Sequence, residues 1–218
     1  MNTNDDVLFR QSLAGLAAGL AARTAPWPDR PFVVAIDGPG CCGKSTLTEL
    51  LVGLLDAAVL ATDDFHEHRG FIREPHAALP YRRWTDLCDA VGLLAQGKAA
   101  IFQPIDWNEC SLGEAITVEP RPVLIVDGIG SLHPDISGRA DLKVWVDGRA
   151  RGRMNRTARR EGRDVASEWA PYVTLEQRYL ATCKPWRHAD IFVVGAQLGW
   201  ENVRESFALL IEAGIPAA

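Results

Sequence analysis

Eight consecutive residues, Gly38-Pro39-Gly40-Cys41-Cys42-Gly43-Lys44-Ser45, have the spacing G-x-x-x-x-G-K-[ST]. Glycines at those positions let backbone N–H groups turn inward on phosphate oxygens, and the N-terminus of a following helix adds partial positive charge. Gly38, Gly40, Cys41, Cys42, Gly43 and Thr46 are therefore candidate nucleotide-binding positions. Lys44 reaches for the β- and γ-phosphates, and the Ser45 hydroxyl is offered to a magnesium ion. The context is the one the motif needs, with a β-branched run over Phe32–Asp37 ahead and an apolar helical pattern from Thr46 behind. Cys41 and Cys42 fit the loop as small residues, although thiols beside a helix N-terminus can also acquire a lowered pKa.

Carboxylates stand at the ends of two further apolar runs. Asp127 follows Pro122-Val123-Leu124-Ile125-Val126, where a strand-end acid would hold the magnesium of a bound nucleotide. A turn-forming Asp before Gly128 is the plainer alternative. Asp63 and Asp64 follow Val59-Leu60-Ala61-Thr62, the strand end at which α/β sheets place ligands. Adjacent acids point differently, so we take Asp63 as the base for an acceptor hydroxyl and Asp64 as a cap or outer contact to magnesium.

Arg149, Arg153, Arg156, Arg160 and Arg163 recur at helical spacing on one face. Like charges so placed repel by a few tenths of a kcal/mol per pair, so the stripe makes sense where an anion meets it. It reads as a lid over a triphosphate, with Arg153 and Arg156 acting in catalysis and Arg160 and Arg163 holding the nucleotide. A solvated face or an RNA-binding stripe would show the same spacing.

Composition narrows the partners. The chain has 218 residues, 47% hydrophobic and 23% charged, enough for one large core. Its net charge of -5 argues against sequence-independent nucleic-acid binding. Five cysteines without C-x-x-C spacing favour a reducing compartment, and the stretch Leu13 to Ala22 is too short for a membrane span. We therefore expect a cytoplasmic protein with no nucleic-acid or membrane partner, and a homo-oligomer is possible on these data.

The elements that must position these residues alternate. Strands are predicted over Phe32–Asp37, Ala58–Thr62, Val123–Asp127, Leu142–Asp147 and Ile191–Val194. Helices are predicted over 5–23, 44–55, 85–96, 149–161, 165–182 and 201–213. Apolar strands bounded by helices imply an α/β fold around a parallel sheet buried on both faces. Residues 99–118, with short extended pieces about Pro104 and Asn108, read as an antiparallel flap. One domain spans 1–218, with a helix and linker over 1–30, the flap over 99–118 and the lid over 149–164.

Taken together, these residues resemble the uridine kinase-like branch of the P-loop kinases, which also contains phosphoribulokinase and bacterial pantothenate kinase. The resemblance runs from Phe32 to Val194. It rests on GPGCCGKS, on Thr62-Asp63-Asp64-Phe65-His66, on Thr117-Val118-Glu119-Pro120 leading to Val126-Asp127-Gly128-Ile129, on the Arg-rich run Arg153 to Asp164, and on Ala189-Asp190-Ile191. It implies a five-stranded parallel sheet flanked by helices, a β flap over the acceptor, an Arg-rich helical lid, ATP and Mg2+, and Asp63 as catalytic base. Uridine or cytidine becomes the leading acceptor, with His66, Tyr81, Trp84, Asp106, Trp107, Arg153 and Tyr172 around it.

Departures from the branch pattern cluster at the acceptor. His66 replaces a Tyr, Arg82 follows Tyr81 where an Asp contacts ribose, Glu109-Cys110 replaces a base-reading His, and Pro171 precedes Tyr172 where a Gln is expected. Lost hydrogen-bonding partners can change a substrate rather than merely weaken it. Another sugar, vitamin or nucleoside therefore stays open as acceptor, and so does a nucleotide-binding regulator that transfers nothing. A GTPase is disfavoured because no [NT]-K-x-D guanine signature is present.

Overall fold

The computed structural model describes residues 9–11, 19, 20, 22, 30–67, 78–147, 166–194 and 208–211. In chain order these form β1 (Phe9–Gln11), β2 (Phe32–Asp37), α1 (Lys44–Val52), β3 (Ala57–Ala61), a 3-10 turn (Thr62–Phe65), α2 (Trp84–Ala95), β4 (Ala100–Phe102), β5 (Ile105–Asp106), β6 (Ser111–Leu112), β7 (Ile116–Val118), β8 (Val123–Asp127), α3 (Pro134–Ser137), β9 (Leu142–Asp147), α4 (Ala166–Cys183), a second 3-10 turn (Pro185–His188), β10 (Ile191–Val194) and β11 (Ala208–Ile211).

Five strands run parallel in the order β3-β8-β2-β9-β10, the expected sheet. Their alternating residues feed two cores, which is why nearly every position is apolar. Val34, Ile36, Val123, Ile125, Val144 and Val146 pack on one face with Leu47 and Leu51 of α1. Val33, Leu60, Leu124 and Val126 pack on the other with Leu87, Val91 and Leu94 of α2. No helix among the described residues is long and apolar enough to cross a membrane.

Two expectations fail at the sheet edge. Residues 201–213 were expected to be helical, yet Ala208–Ile211 is a strand antiparallel to β10. The predicted helix over 5–23 likewise gives way at Phe9–Gln11, which pairs antiparallel with β11, while residues 19, 20 and 22 are helical. A short apolar run such as Ala208-Leu209-Leu210-Ile211 has no decisive period, and the open edge of β10 offers a ladder of unmade hydrogen bonds. The sheet thus has seven strands. The predicted flap is present as two antiparallel pairs, β4 with β7 and β5 with β6. The lid helix predicted over 149–161 lies outside the described residues.

Register brings the strand ends level. Ile36 of β2 and Ala61 of β3 both lie opposite Asp127 of β8, so the segments after these strands share one rim. Gly128 sits in that rim at φ +132°, donating its N–H to the Ile36 carbonyl at 3.0 Å. A Cβ there would lie 2.1 Å from the Thr62 hydroxyl. Gly128→Ala is expected to cost at least about 2 kcal/mol from backbone strain and the clash together. The check is urea unfolding: the midpoint falls with slope unchanged, and Gly53→Ala, whose Cβ meets nothing nearer than 3.5 Å, leaves it near wild type.

Candidate nucleotide and acceptor site

The loop from Gly38 to Gly43 leaves β2 and enters α1, whose first turn has no side-chain cap. A helix start without a side-chain cap is the kind of N-terminus that can receive an anion. Gly43, the residue before the helix, takes φ +106°, and Cys41 also lies in left-handed backbone at φ +54°. Both values bend the chain into a concave turn. Cys42 is buried in the core, while Cys41, Gly40 and Ser45 are partly exposed.

Lys44 is folded back on its own loop, donating to the Gly38 and Pro39 carbonyls at 2.9 Å each. Burial opposes its charge, but Cys42 and the carboxylates of Asp127, Asp37 and Asp63 hold its pKa above the ordinary value. The ammonium is a fixed cation at the centre of the rim.

Asp37, the last residue of β2, was not singled out by sequence reasoning. Its carboxylate is fully buried and accepts four hydrogen bonds: from the N–H groups of Gly38 (2.7 Å), Gly130 (3.1 Å) and Leu132 (2.9 Å), and from the Tyr179 hydroxyl (2.7 Å). The loop, the segment after β8 and helix α4 are thereby fastened together. Burial raises its pKa despite these donors. The available signal was an acid closing an otherwise apolar strand, where an unpaired charge would be costly.

Asp127 is nearly buried, and its Oδ1 has no hydrogen-bond partner. Burial pushes its pKa up to about 6, with Asp63 adding to the rise and Lys44, Ser45 and Thr48 opposing it. A buried, unsatisfied acceptor beside the Ser45 hydroxyl and the Lys44 charge fits a magnesium site, since Mg2+ prefers hard oxygens and commonly takes one or two from protein and the rest from phosphate and water.

Asp63 stands at the next strand end in crowded surroundings, with 67% of its side chain exposed. Arg82, only 1% exposed, binds its Oδ1 through Nη2 at 2.6 Å and the Thr62 carbonyl through Nη1. Desolvation by the atoms crowded around it would raise the Asp63 pKa, but Arg82, with smaller help from Lys44 and His66, holds it below the ordinary range. Asp64 is raised instead, by burial and by its neighbour's charge. The two adjacent acids therefore differ, and Asp63 is the one whose charged form is favoured.

The expected acceptor residues separate into two groups. His66, Tyr81, Trp107 and Tyr172 converge, with the His66 ring centroid 4.8 Å from Tyr81, 5.0 Å from Trp107 and 5.7 Å from Tyr172. Burial and the Arg82 charge lower the His66 pKa to about 4, so the ring is neutral near pH 7. Trp107 and Tyr172 are more than 45% exposed and form the accessible surface of this cluster. Trp84 lies elsewhere, buried, with its indole N–H on Asp135 at 2.9 Å and its ring against His133. Asp106 spends Oδ1 on the N–H groups of Asn108 (2.9 Å) and Glu109 (3.1 Å), closing the flap turn. Arg153, Arg156, Arg160 and Arg163 lie outside the described residues.

No family model matches the sequence, and no curated protein matches it. Solved structures match the fold. A possible uridine kinase from Bacillus stearothermophilus is 16% identical with a TM-score of 0.60, the match covering 83% of this chain and 96% of that one. A candidate fructose transport system kinase from Silicibacter sp. TM1040 is 20% identical with a TM-score of 0.58, covering 82% and 95%. The five-stranded parallel sheet, the flanking helices and the loop before α1 define a P-loop kinase fold.

Two outcomes follow from the site's electrostatics. Asp127 ionises near pH 4 when unfolded but near 6 when folded, so the folded state holds the extra proton between those values and stability falls as pH rises through them. Without nucleotide or Mg2+, Asp127→Asn is expected to remove that decline and to be more stable than wild type at pH 7 by up to roughly 3 kcal/mol. Thermal or urea unfolding from pH 4 to 8 checks it; a variant tracking wild type at every pH contradicts it. Separately, Arg82→Gln releases Asp63 from its cation. The Asp63 carboxyl is then expected to titrate at higher pH than in wild type, as read by NMR of its carboxyl carbon across an acid titration; an unmoved midpoint contradicts it.

Proposed function

We propose that this protein transfers the γ-phosphoryl group of ATP to a hydroxyl of a small molecule, as a phosphotransferase of the uridine kinase-like type. The observation that carries the reading is the meeting of a fixed cation, Lys44, with the carboxylates of Asp127 and Asp63 at one rim behind a glycine-rich loop. That is the equipment phosphoryl transfer needs: donors and cations for the phosphates, and an acceptor for the hydroxyl proton.

In this reading the loop N–H groups and Lys44 bind the triphosphate. Ser45 and Asp127 would hold Mg2+, which neutralises phosphate charge. Asp63, kept ionised by Arg82, takes the proton of the attacking hydroxyl as the oxygen–phosphorus bond forms. The flap and the His66–Tyr81–Trp107–Tyr172 cluster orient the acceptor and exclude water. The Arg149–Arg163 stripe, which lies outside the described residues, would supply the positive charge for the transferring group. The partners are a nucleoside triphosphate and a soluble hydroxylated metabolite, with the cytoplasm as the setting.

Uridine or cytidine is the first acceptor to test. A different hydroxylated metabolite, a sugar among them, is favoured by two observations. Arg82, standing where an Asp would contact ribose, is a cation committed to Asp63 and Thr62, and Asp106 spends Oδ1 on its own turn. The structural relatives are themselves described by different acceptors, a nucleoside and a sugar.

The test is transfer from labelled ATP across nucleosides, sugars and pantothenate. Acceptor-dependent consumption of ATP is expected, and Lys44→Ala and Asp63→Asn are each expected to lower kcat by about 100-fold or more with the fold intact by circular dichroism. Arg153→Ala is expected to lower kcat more than ATP affinity. Tight ATP binding with no transfer to any panel member overturns the kinase reading in favour of a nucleotide-binding regulator.

A further inference from the structure

Helix α4 sends two buried side chains to the nucleotide loop from one face, three residues apart. Tyr179 meets Asp37, as described. Glu176, only 4% exposed, accepts the Gly40 N–H on Oε2 at 2.6 Å. A carboxylate is an acceptor-only anion, like a phosphate oxygen, and here it takes a donor of the very loop that the sequence marks for phosphate.

The position within the loop matters. The Lys44 ammonium lies on the Gly38 and Pro39 carbonyls, so Gly40 is at the lysine's end of the cradle. That lysine serves the outer phosphates of the chain, β and γ. The N–H groups at the start of α1 lie at the opposite end of the loop.

We propose that Glu176 is a specificity-determining stand-in for the terminal phosphate, one that must give up Gly40 before a triphosphate seats and that a diphosphate leaves in place. The inference rests on the nucleotide-binding half of the function proposed above. Two anions do not share one donor, so carboxylate and γ-phosphate exclude each other. The energy spent on displacing Glu176 lowers apparent ATP affinity by the fraction of loops already vacated. After transfer, return of the carboxylate favours the ADP-bound loop with no terminal phosphate.

The experiment compares Glu176→Gln with wild type by calorimetric titration, in Mg2+, of ADP and of the ATP analogue whose β–γ bridge is NH. Gln keeps an oxygen for Gly40 but loses the charge. The analogue is expected to bind about tenfold tighter than to wild type, and ADP within twofold of wild type. Tyr179→Phe, which loosens the same helix without touching Gly40, is expected to leave the analogue-to-ADP affinity ratio unchanged. An unchanged analogue affinity in Glu176→Gln, or equal weakening of both nucleotides as a mere loop support would give, overturns the inference while leaving the kinase reading intact. Wild-type protein that binds neither nucleotide overturns both.

Discussion

A single buried carboxylate organises the nucleotide end of this molecule. Asp37 has no access to water, and its carboxyl group is held by four donors drawn from three separate segments. Such a group is costly unless every lone pair is engaged, so the segments supplying the donors are held to one arrangement. The loop after β2, the loop after β8 and helix α4 cannot drift independently. The geometry of Lys44 and Asp127 follows, because Asp37 and Asp127 end neighbouring strands.

Around this anchor the charges are graded by environment rather than by residue type. Four aspartates lie at or near the rim, and each takes a different state. Asp37 is satisfied by backbone, Asp127 is left with an orphan oxygen, Asp63 is held by a buried guanidinium, and Asp64 is pushed up by its neighbour. Environments that push titratable groups apart are how a site divides labour among identical side chains. Here the division sets Asp127, whose carboxyl is pushed up, apart from Asp63, whose carboxyl is held down, with the Lys44 ammonium acting on both.

The strand ends were legible in the sequence because parallel strands buried on both faces are written as continuous apolar runs, and their bounding acids stand out. Val123–Asp127 and Phe32–Asp37 were located to the residue for that reason. The convergence of His66, Tyr81, Trp107 and Tyr172 was suggested by family likeness, not by spacing, since they lie on four separate segments. Arg82, Asp37 and Glu176 escaped notice as working parts for a common cause: each acts through a partner remote in sequence, and only folding reveals the pair. Edge strands β1 and β11 were misread because three- and four-residue runs carry no period, and their pairing is decided by the exposed flank of β10.

That flank carries the first and last of the described strands. Phe9, where β1 enters, lies directly opposite Ile211, where β11 leaves. The strand between β9 and the nucleotide loop, β2, is separated from β1 by three intervening strands, or about 19 Å at ordinary strand spacing. The pairing of β1 with β11 therefore ties the first and last described strands together at the sheet edge farther from the loop that follows β2.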